Sequence, residues 1–411
     1  AGCDKSLPGM MMVMVRLNVP SVFMYGGSIL PGKFRGQDVT VIDVFEGVGK
    51  HATGEFSDAD LKEMECVACP SAGACGGQFT ANTMACVSEA IGLALPGSAG
   101  APAPYETRDE YAVASGKAIV ELIRKNIRPR DIVTRKSLEN AAMIVAATGG
   151  STNAALHLPA IAHEAGIEFD LHDVCEIMRK TPYLASLKPG GKYVAKDLFD
   201  IGGVSVVLKE LLKGGYLHGD CLTVTGKTIA ENLEHVTFPE DQDVVAPITK
   251  PLSMTGGVVG LKGNLAPDGA IVKIAGMEKL VFEGPARCFD SEQACFNAVM
   301  QLGKLAEVIR DTSLCGLGKY APNPVLSILK YFHEEFEEHI YDRHCRANVC
   351  KELKTFYIDV DKCTGCHACA SKCPTQAIIG SPRKPHFIVE EKCIGCGVCY
   401  DTCKFVAIYQ K

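Results

Sequence analysis

The cysteines near the end of the chain have a spacing that can hold metal clusters. Two similar runs occur, and each separates three cysteines by two residues and adds a fourth after three more. The first run is Cys363, Cys366, Cys369 and Cys373, and the second is Cys393, Cys396, Cys399 and Cys403. This doubled CxxCxxCxxxC pattern is typical of chains that bind two 4Fe-4S clusters, in which the fourth cysteine of each run ligates the cluster of the other run.

The exchange of the fourth ligand defines two sets of four cysteines. The first cysteine set is Cys363, Cys366, Cys369 and Cys403, and the second cysteine set is Cys393, Cys396, Cys399 and Cys373. Zinc is the alternative metal, but a four-cysteine zinc site usually has two CxxC pairs for each ion. Because four cysteine ligands leave no open position for a substrate, the pattern predicts one-electron transfer.

The doubled cysteine run resembles bacterial ferredoxins, and the segment before it resembles a second family. Residues 311–318 and 321–327 are similar to the NADH-binding subunit of complex I and of NAD(P)-reducing hydrogenases, and the resemblance covers residues 302–411. In that family the position of Cys315 supplies the last ligand of a further cluster, whose CxxCxxC motif this chain lacks. The resemblance implies a redox partner protein or subunit.

Cys345, Cys350 and His339 have the side chains of a structural Zn²⁺ site. Their spacing is irregular and one ligand has no clear source. Buried free thiols are therefore the alternative, and both interpretations stay open.

Cysteine, carboxylate and lysine side chains adjoin one another at the start of the chain, as Cys3, Asp4 and Lys5. Cys75 lies further on, in the glycine-rich run CPSAGACGG of residues 69–77. Together with YGGSILPG at 25–32, FTANTM at 79–84 and GGSTNA at 149–154, these motifs resemble in order the dihydroxy-acid dehydratases. That family also includes sugar-acid dehydratases, and the resemblance covers residues 1–299.

The resemblance implies the roles of four residues. Cys3 and Cys75 would ligate a 2Fe-2S or other labile iron-sulfur cluster, once a further ligand completes it. Asp4 and a carbamylated Lys5 would bind Mg²⁺, which makes Asp4 and Lys5 the candidate catalytic residues. The implied reaction removes the C2 proton and the C3 hydroxyl of a small 2,3-dihydroxy acid and yields a 2-keto acid for branched-chain amino acid biosynthesis. The family also suggests a homodimer.

The chain departs from this family at both ends. The resemblance implies that a third cluster cysteine and another Mg²⁺ ligand precede Cys3, and that a Mg²⁺ carboxylate and a serine base belong to a C-terminal β domain. Near residue 299 that domain gives way to the hydrogenase-like segment. We therefore expect little or no dehydratase activity from this chain alone, unless another chain supplies the rest.

Three functional hypotheses follow from these motifs. The chain is a dehydratase-type hydro-lyase with a ferredoxin-type tail, or an electron-transfer subunit with a recruited N-terminal scaffold. Alternatively, it is a chimera of two partial reading frames with its seam near residues 300–302. Dehydration is redox-neutral, so the two chemistries have no evident link.

Composition sets limits on these hypotheses. The chain has 411 residues, 20 cysteines, 47% hydrophobic residues and a formal net charge of −6. These values allow sizeable cores and give no basic field for nucleic acid. No apolar run approaches the roughly 20 residues of a membrane span. Because CxxC spacings in a large chain favour metal ligation over disulfides, we expect a reducing, cytoplasmic location.

The elements that must position these side chains suggest an α/β fold. We expect a mostly parallel sheet domain at 1–235, a partial β-rich domain at 236–299, a helical linker at 300–355 and a ferredoxin-like α+β module of βαββαβ order at 356–411. Strands are predicted at 22–25, 39–44, 244–248, 257–261 and 270–274. Helices are predicted at 81–95, 151–165, 206–212 and 291–310.

Several other features have two interpretations. Cys66 and Cys69 form a CxxC pair that could bind metal, but we interpret them as packing thiols. Isolated cysteines are interpreted as core residues: Cys86, Cys175, Cys221, Cys288 and Cys295. The glycine pair before Ser151 could cradle an anion at a helix start or simply form a helix cap, and both remain open.

Overall fold

The computed structural model describes residues 1–263, 266–277, 291–312, 322–342, 344–346 and 356–410, with 283 and 319 as single positions. The chain divides into two compact units, a first unit of Ala1–Phe282 and a second unit of Glu283–Lys411. Within the described part of the chain, no helix combines the length and the apolar character that crossing a membrane requires.

Helices form most of the first unit. In chain order they are α1 (Ser6–Leu17), α2 (Val41–Ala52), α3 (Asp58–Val67), α4 (Thr80–Ile91), α5 (Thr107–Lys125), α6 (Pro129–Ile132), α7 (Arg135–Ala147), α8 (Ala154–Ala165), α9 (Leu171–Lys180), α10 (Ala195–Asp200), α11 (Val204–Lys213) and α12 (Ile229–Asn232). α4 is buried on every side from Ala81 to Ile91, although it carries the polar residues Asn82, Thr83, Ser88 and Glu89, which therefore need hydrogen-bond partners inside the core. α1, α7 and α8 pack against α4, so the core of this unit is helix on helix.

The helices predicted from the sequence are present with shifted ends. α4, α8 and α11 correspond to the predictions at 81–95, 151–165 and 206–212. α8 ends as predicted at Gly166, whose φ of +73° is the left-handed conformation that favours glycine. It begins at Ala154 rather than at Ser151, because residues 151–153 form a tighter turn in which the Ala154 N–H donates to the Ser151 carbonyl oxygen at 3.1 Å.

The mostly parallel sheet predicted for 1–235 is wrong for the described residues, whose sheets each have two antiparallel strands. Here β1 (Gly32–Phe34) pairs with β2 (Gln37–Val39). The segment at 22–25 contributes one parallel bridge, Phe23 to Ala94. The strand predicted at 39–44 stops at Val39, since the Thr40 N–H donates to the Asp43 carboxylate at 2.6 Å and caps α2. Short apolar runs fit a buried helix as well as a strand.

Among the described residues, the predicted β-rich part contains one hairpin. β3 (Val258–Gly263) and β4 (Ala266–Lys273) pair antiparallel and pack on α9, in agreement with the strands predicted at 257–261 and 270–274. The strand predicted at 244–248 is wrong, because this segment makes one bridge, from Val245 to Ala185, and no ladder.

The second unit begins with helices and ends with a small α+β module. The helices are α13 (Glu292–Thr312), which confirms the prediction at 291–310, α14 (Asn323–Tyr331) and α15 (His333–Glu337), with a π-helical turn at Glu338–Asp342. The module has the expected βαββαβ order: β5 (Phe356–Ile358), α16 (Ala368–Lys372), β6 (Ile378–Ile379), β7 (Phe387–Ile388), α17 (Val398–Thr402) and β8 (Ile408–Gln410). β5 pairs with β8 and β6 with β7.

Candidate functional sites

Two cavities in the α+β module are each lined by four cysteines. One has about 280 Å³ of empty space and is lined by the first cysteine set, with Ile358, Phe405 and Ile408. The other has about 320 Å³ and is lined by the second cysteine set, with Phe356, Ile378 and Ile388. The module thus brings together the two sets that the sequence predicts, including the exchanged positions Cys403 and Cys373.

Backbone N–H groups point at the sulfurs of these cavities. Ala377 donates to Cys373 Sγ at 3.3 Å, and Ala407 donates to Cys403 Sγ at 3.4 Å. Although burial acts to raise it, hydrogen bonds from Thr375 and from backbone N–H groups hold the pKa of the Cys373 thiol below its ordinary value. Hydrogen bonds that stabilise a thiolate also tune the potential of a cluster bound to it.

The turns around the cysteines need residues that accept a left-handed backbone. Gly365, Gly395 and Gly397 have φ values of +67°, +66° and +76°, as expected from their place in tight turns. A Cβ on Gly365 would lie 2.4 Å from the Lys384 backbone nitrogen. His367 follows Cys366 as Gly397 follows Cys396, and it has a φ of +65° in spite of its side chain.

The cavity of the first cysteine set differs from the other by two histidines. His386 is fully buried, and its Nε2 lies 2.7 Å from Nδ1 of His367. The backbone N–H of His386 donates to Cys363 Sγ at 3.5 Å. Both imidazoles line this cavity, so a cluster there would have a more polar surrounding than one in the second cavity.

The arrangement of the thiols fits a cluster better than one ion. Across the described residues, no three His, Cys, Asp or Glu side chains converge closely enough to hold a single metal ion. The four thiols of each set instead surround a cavity. Cysteine ligands around a space of this kind, with N–H groups aimed at the sulfurs, suit an iron-sulfur cluster.

The zinc prediction is only partly covered by the described residues. His339 Nδ1 lies 2.6 Å from the Glu335 carbonyl oxygen. This hydrogen bond, together with an interaction with buried Cys345, raises the pKa of His339. Cys350 and Cys315 lie outside the described residues.

Cys3, Asp4 and Lys5 form the turn that leads into α1. The Cys3 carbonyl accepts hydrogen bonds from Ser6 Oγ at 2.6 Å and from the Ser6 N–H at 2.9 Å. Asp4 has a φ of +26°, which is uncommon for any residue but glycine. A residue held in a sparsely populated backbone region costs about 1–3 kcal/mol, and such residues cluster at functional sites.

The Lys5 side chain meets α8. Its Nζ lies 3.2 Å from Nε2 of His157 and 3.6 Å from Oδ1 of Asp4. His157 is buried, with 5% of its surface exposed. Burial, assisted by the charge of Lys5, lowers the pKa of His157 to about 4, so the imidazole is neutral at neutral pH.

Cys75 stands close to the same turn. Burial raises the pKa of its thiol, and nearby Cys3, Asp4 and Cys69 add to the rise because each carries or develops negative charge. The structure therefore brings Cys3, Asp4, Lys5 and Cys75 into one neighbourhood.

Asn82 on α4 fixes the backbone around Cys75. Its Nδ2 donates to the carbonyl oxygens of Cys75 and Gly77, both at 2.6 Å, and its Oδ1 accepts from the Tyr25 hydroxyl at 2.8 Å. The sequence alone predicts no role for Asn82 or His157. Asn82 belongs to the FTANTM motif and His157 to the helix after GGSTNA, so the motifs mark both positions but do not reveal their contacts.

Two polar atoms of this neighbourhood are buried and have no hydrogen-bond partner among the described residues: Asp4 Oδ1, which is in an ion pair with Lys5 Nζ at 3.6 Å, and His157 Nδ1. Leaving a buried polar atom unsatisfied costs about 1–3 kcal/mol, and each such atom calls for an explanation such as a water or an ion. A carboxylate oxygen is the ligand type that Mg²⁺ prefers. The residues present therefore fit part of a Mg²⁺ site, with Asp4 as one carboxylate ligand on a side chain that is 49% exposed.

The interpretation of Cys66 and Cys69 as packing thiols is wrong, because both are exposed. α3 buries only Met64, and Cys66, two residues on, faces away. Cys86 and Cys221 are core residues as predicted, and Cys175 is half-buried. Cys288 and the side chain of Cys295 lie outside the described part of the chain.

The glycine pair before Ser151 serves a cap-like turn. Ser151 Oγ accepts from the Asn153 N–H at 3.2 Å, and the Ser151 N–H is bonded to Thr83. Since side chains already occupy these two N–H groups, the geometry favours the cap over the anion cradle.

Four family models match the chain. Residues 1–232 match the dihydroxy-acid/6-phosphogluconate dehydratase N-terminal region, and residues 243–312 match the C-terminal region. Residues 287–339 match the iron-sulfur binding region of NADH-ubiquinone oxidoreductase F, and residues 356–408 match a 4Fe-4S dicluster domain. The second unit therefore contains a domain of an iron-sulfur-binding type.

The chain is similar to curated dihydroxy-acid dehydratases from several bacteria. It is 76% identical over 301 residues to one from Parvibaculum lavamentivorans, covering 73% of this chain and 52% of the relative. It is 70% identical over 301 residues to one from Pelagibacter ubique, covering 73% and 53%. It is 52% identical over 303 residues to one from Acidothermus cellulolyticus, covering 74% and 54%. The chain thus spans about half the length of the curated relatives it matches.

Proposed function

The chain belongs to the family of dihydroxy-acid and 6-phosphogluconate dehydratases, and from this premise we propose that its first unit is a hydro-lyase for a 2,3-dihydroxy acid. The relatives named above are all dihydroxy-acid dehydratases, which supports a branched-chain amino acid precursor over a sugar acid. The observation that carries the proposal is the turn of Cys3, Asp4 and Lys5 beside Cys75, where Asp4 Oδ1 is buried without a hydrogen-bond partner among the described residues.

The family resemblance supplies the ligand assignment of this site. Asp4 and a carbamylated Lys5 would hold Mg²⁺, and Cys3 and Cys75 would supply thiolates to a 2Fe-2S or labile cluster. When bound, the ion stabilises negative charge at the acid end of the substrate and the cluster acts as a Lewis acid on the leaving hydroxyl. Because Cys3 and Asp4 are adjacent in the chain, they would hold the cluster and the ion next to each other, one for each end of a short substrate.

The residues of the chain position the groups of the site, and they do not break the bonds of the substrate unaided. The reaction breaks the C2–H and C3–O bonds, releases water and leaves an enol that becomes the 2-keto acid. Asn82 holds the Cys75 backbone, and the Ser6 hydroxyl holds the Cys3 carbonyl, so both thiols start from fixed backbone positions. Preorganised groups lower the barrier because they need not be ordered during the reaction.

The test measures binding and turnover on the full chain, purified anaerobically and loaded with iron. We expect 2,3-dihydroxyisovalerate to bind in a Mg²⁺-dependent manner by calorimetry, and Asp4→Asn to weaken this binding at least about tenfold. Asp109→Asn, an equivalent change at an exposed position of α5, is the control. Binding that is indifferent to Mg²⁺ in all three proteins would count against the proposal.

Turnover is followed in the same samples as 2-keto acid. Substrate binding is the primary readout, and steady formation of 2-keto acid would further support the reaction class.

We propose a second activity for the second unit, which is one-electron transfer through two 4Fe-4S clusters held by the two cysteine sets. The observation that favours it is the pair of four-cysteine cavities, in a region that matches a dicluster domain. Exposed Ile394 and Val406, with 62% and 77% of their surface accessible, provide apolar contact area for a redox partner protein. Anaerobic reconstitution should give iron and sulfide together with an EPR signal after dithionite. Zinc in their place would overturn this activity.

We further propose the segment boundaries 1–235, 236–299, 300–355 and 356–411. The family matches support them, and the overlap of two matches at 287–312 is where the dehydratase-like and oxidoreductase-like parts meet. A homodimer, a cytoplasmic location and Zn²⁺ at His339, Cys345 and Cys350 belong to the same proposal. Gel filtration and metal analysis of the purified chain test the first and the last.

A further inference from the structure

His157 is the buried side chain that contacts Lys5, and the family resemblance gave it no role. We propose that His157 is a positioning residue that fixes the Lys5 amino nitrogen beside Asp4 for Mg²⁺ binding. This inference rests on the proposed function, because it assigns a further residue to the same site.

The direction of the contact follows from the chemistry of the two groups. The Lys5 nitrogen offers only N–H donors, both as the free amino group with its proton and as the carbamate proposed above, whose nitrogen lone pair is delocalised. Lys5 Nζ therefore donates and His157 Nε2, 3.2 Å away, accepts. An imidazole nitrogen that accepts a hydrogen bond carries no hydrogen, which places the ring hydrogen on Nδ1. The geometry thus selects one tautomer of His157.

A purely structural role does not account for these contacts. A buried histidine that only supports the fold normally satisfies its ring nitrogens with backbone or side-chain partners. Here Nε2 is directed to Lys5 and Nδ1 has no hydrogen-bond partner among the described residues. Nδ1–H is therefore a buried donor available to an acceptor oxygen of a water or a bound acid.

His157 is rigid where Lys5 is not. It sits on α8 beside Leu158 and Ala154, both with no exposed surface, and α8 packs against α1. The Lys5 side chain is 62% exposed, and freezing a lysine side chain costs up to about 2 kcal/mol in rotamer entropy. A hydrogen bond to a fixed imidazole restricts Lys5 before the ion binds, which favours Mg²⁺ affinity.

The tautomer is tested by ¹⁵N NMR of the full chain labelled in histidine, with the His157 signals assigned by their loss in His157→Gln. We expect a neutral ring with hydrogen on Nδ1, and a shift of the Nε2 signal in Lys5→Met. A wild-type ring with hydrogen on Nε2 overturns the inference, because that nitrogen could not accept from Lys5. This readout depends on neither Mg²⁺ nor activity.

Mg²⁺ affinity, measured by calorimetry with Mg²⁺ in a bicarbonate buffer that supplies CO₂ for the Lys5 carbamate, gives the second arm. We expect His157→Leu to weaken binding by about 10- to 100-fold, the usual effect of removing a residue that orients a ligand. His157→Gln, whose amide oxygen can replace Nε2 as acceptor, should retain most of the affinity, and exposed His163→Gln on the same helix is the control.

The outcomes separate the two proposals. Wild-type affinity in a folded His157→Leu refutes positioning and leaves the proposed function standing. Absence of Mg²⁺ binding by the wild type refutes the proposed site, and the tautomer measurement still decides whether Lys5 and His157 are paired. If His157→Leu does not fold, as judged by circular dichroism, the Lys5→Met and His157→Gln proteins carry the test.

Discussion

Replacing Glu89 with glutamine should remove a pH-dependent part of the free energy of unfolding. Glu89 lies on α4 with 5% of its surface exposed. Its carboxylate oxygens accept hydrogen bonds from the N–H groups of Gly97 at 3.0 Å and Ala99 at 2.7 Å. Burial raises the pKa of Glu89 from 4.5 to about 7, although these two hydrogen bonds act to lower it.

The magnitude follows from proton linkage. A folded-state pKa above the unfolded value means that the folded chain binds the proton more tightly, so this stabilisation is fully present below pH 4.5 and is lost as pH rises through 7. A pKa difference between 4.5 and about 7 corresponds to about 3 kcal/mol in total. Most of it, about 2–3 kcal/mol, should disappear between pH 5 and pH 8.

Urea unfolding at several pH values checks this prediction. The chain has no tryptophan, so far-ultraviolet circular dichroism is the signal. At pH 5 the free energy of unfolding of Glu89→Gln should be lower than that of the wild type by about 1–3 kcal/mol, because of imperfect hydrogen bonding. From pH 5 to 8 the wild type should lose about 2–3 kcal/mol relative to the variant. Glu110→Gln, the same change at an exposed position, should follow the wild type. A wild-type minus Glu89→Gln difference that is the same at every pH would refute the reasoning.

Three further predictions concern the core and the cluster module. Leu158→Ala should lower the free energy of unfolding by about 2–5 kcal/mol, because the side chain is fully buried. Leu156→Ala on the same helix, with the side chain 66% exposed, should change it by less than about 0.5 kcal/mol, and equal effects would contradict the packing. Gly365→Ala should reduce bound iron, since the new Cβ would lie 2.4 Å from the Lys384 nitrogen; unchanged iron would contradict this. Cys373→Ala should leave about half the iron, with the EPR of one isolated cluster, and the remaining cluster should be the one at Cys363. Loss of that cluster instead would contradict the exchange of ligands.

The sequence predicted the cluster module well because its information is local and covalent. The spacing of the cysteines within each run sets the tight turns between them, and Gly365 and Gly395 in these turns have the positive φ values that glycine accepts. Only the exchange of Cys373 and Cys403 needs long-range information, and the repeated pattern supplied it.

The first unit was harder to predict because its decisive contacts are distant in sequence. Lys5 and His157 are separated by 152 positions, and no periodicity connects them. The strand predicted at 39–44 failed for another reason: the cap formed by Thr40 and Asp43 outweighed the β propensity of the valines and isoleucine, as local hydrogen bonding can do. Exposure of Cys66 depended on which face α3 buries, and one buried methionine decided it.

The exchanged cysteines make the two halves of the module mutually dependent. Neither half, taken alone, contains the four sulfurs that surround its own cavity. Loss of the last cysteine of one half therefore removes a ligand from the cluster of the other half, so one half cannot replace the other. The two halves look redundant in the sequence, but they must fold and bind their clusters together.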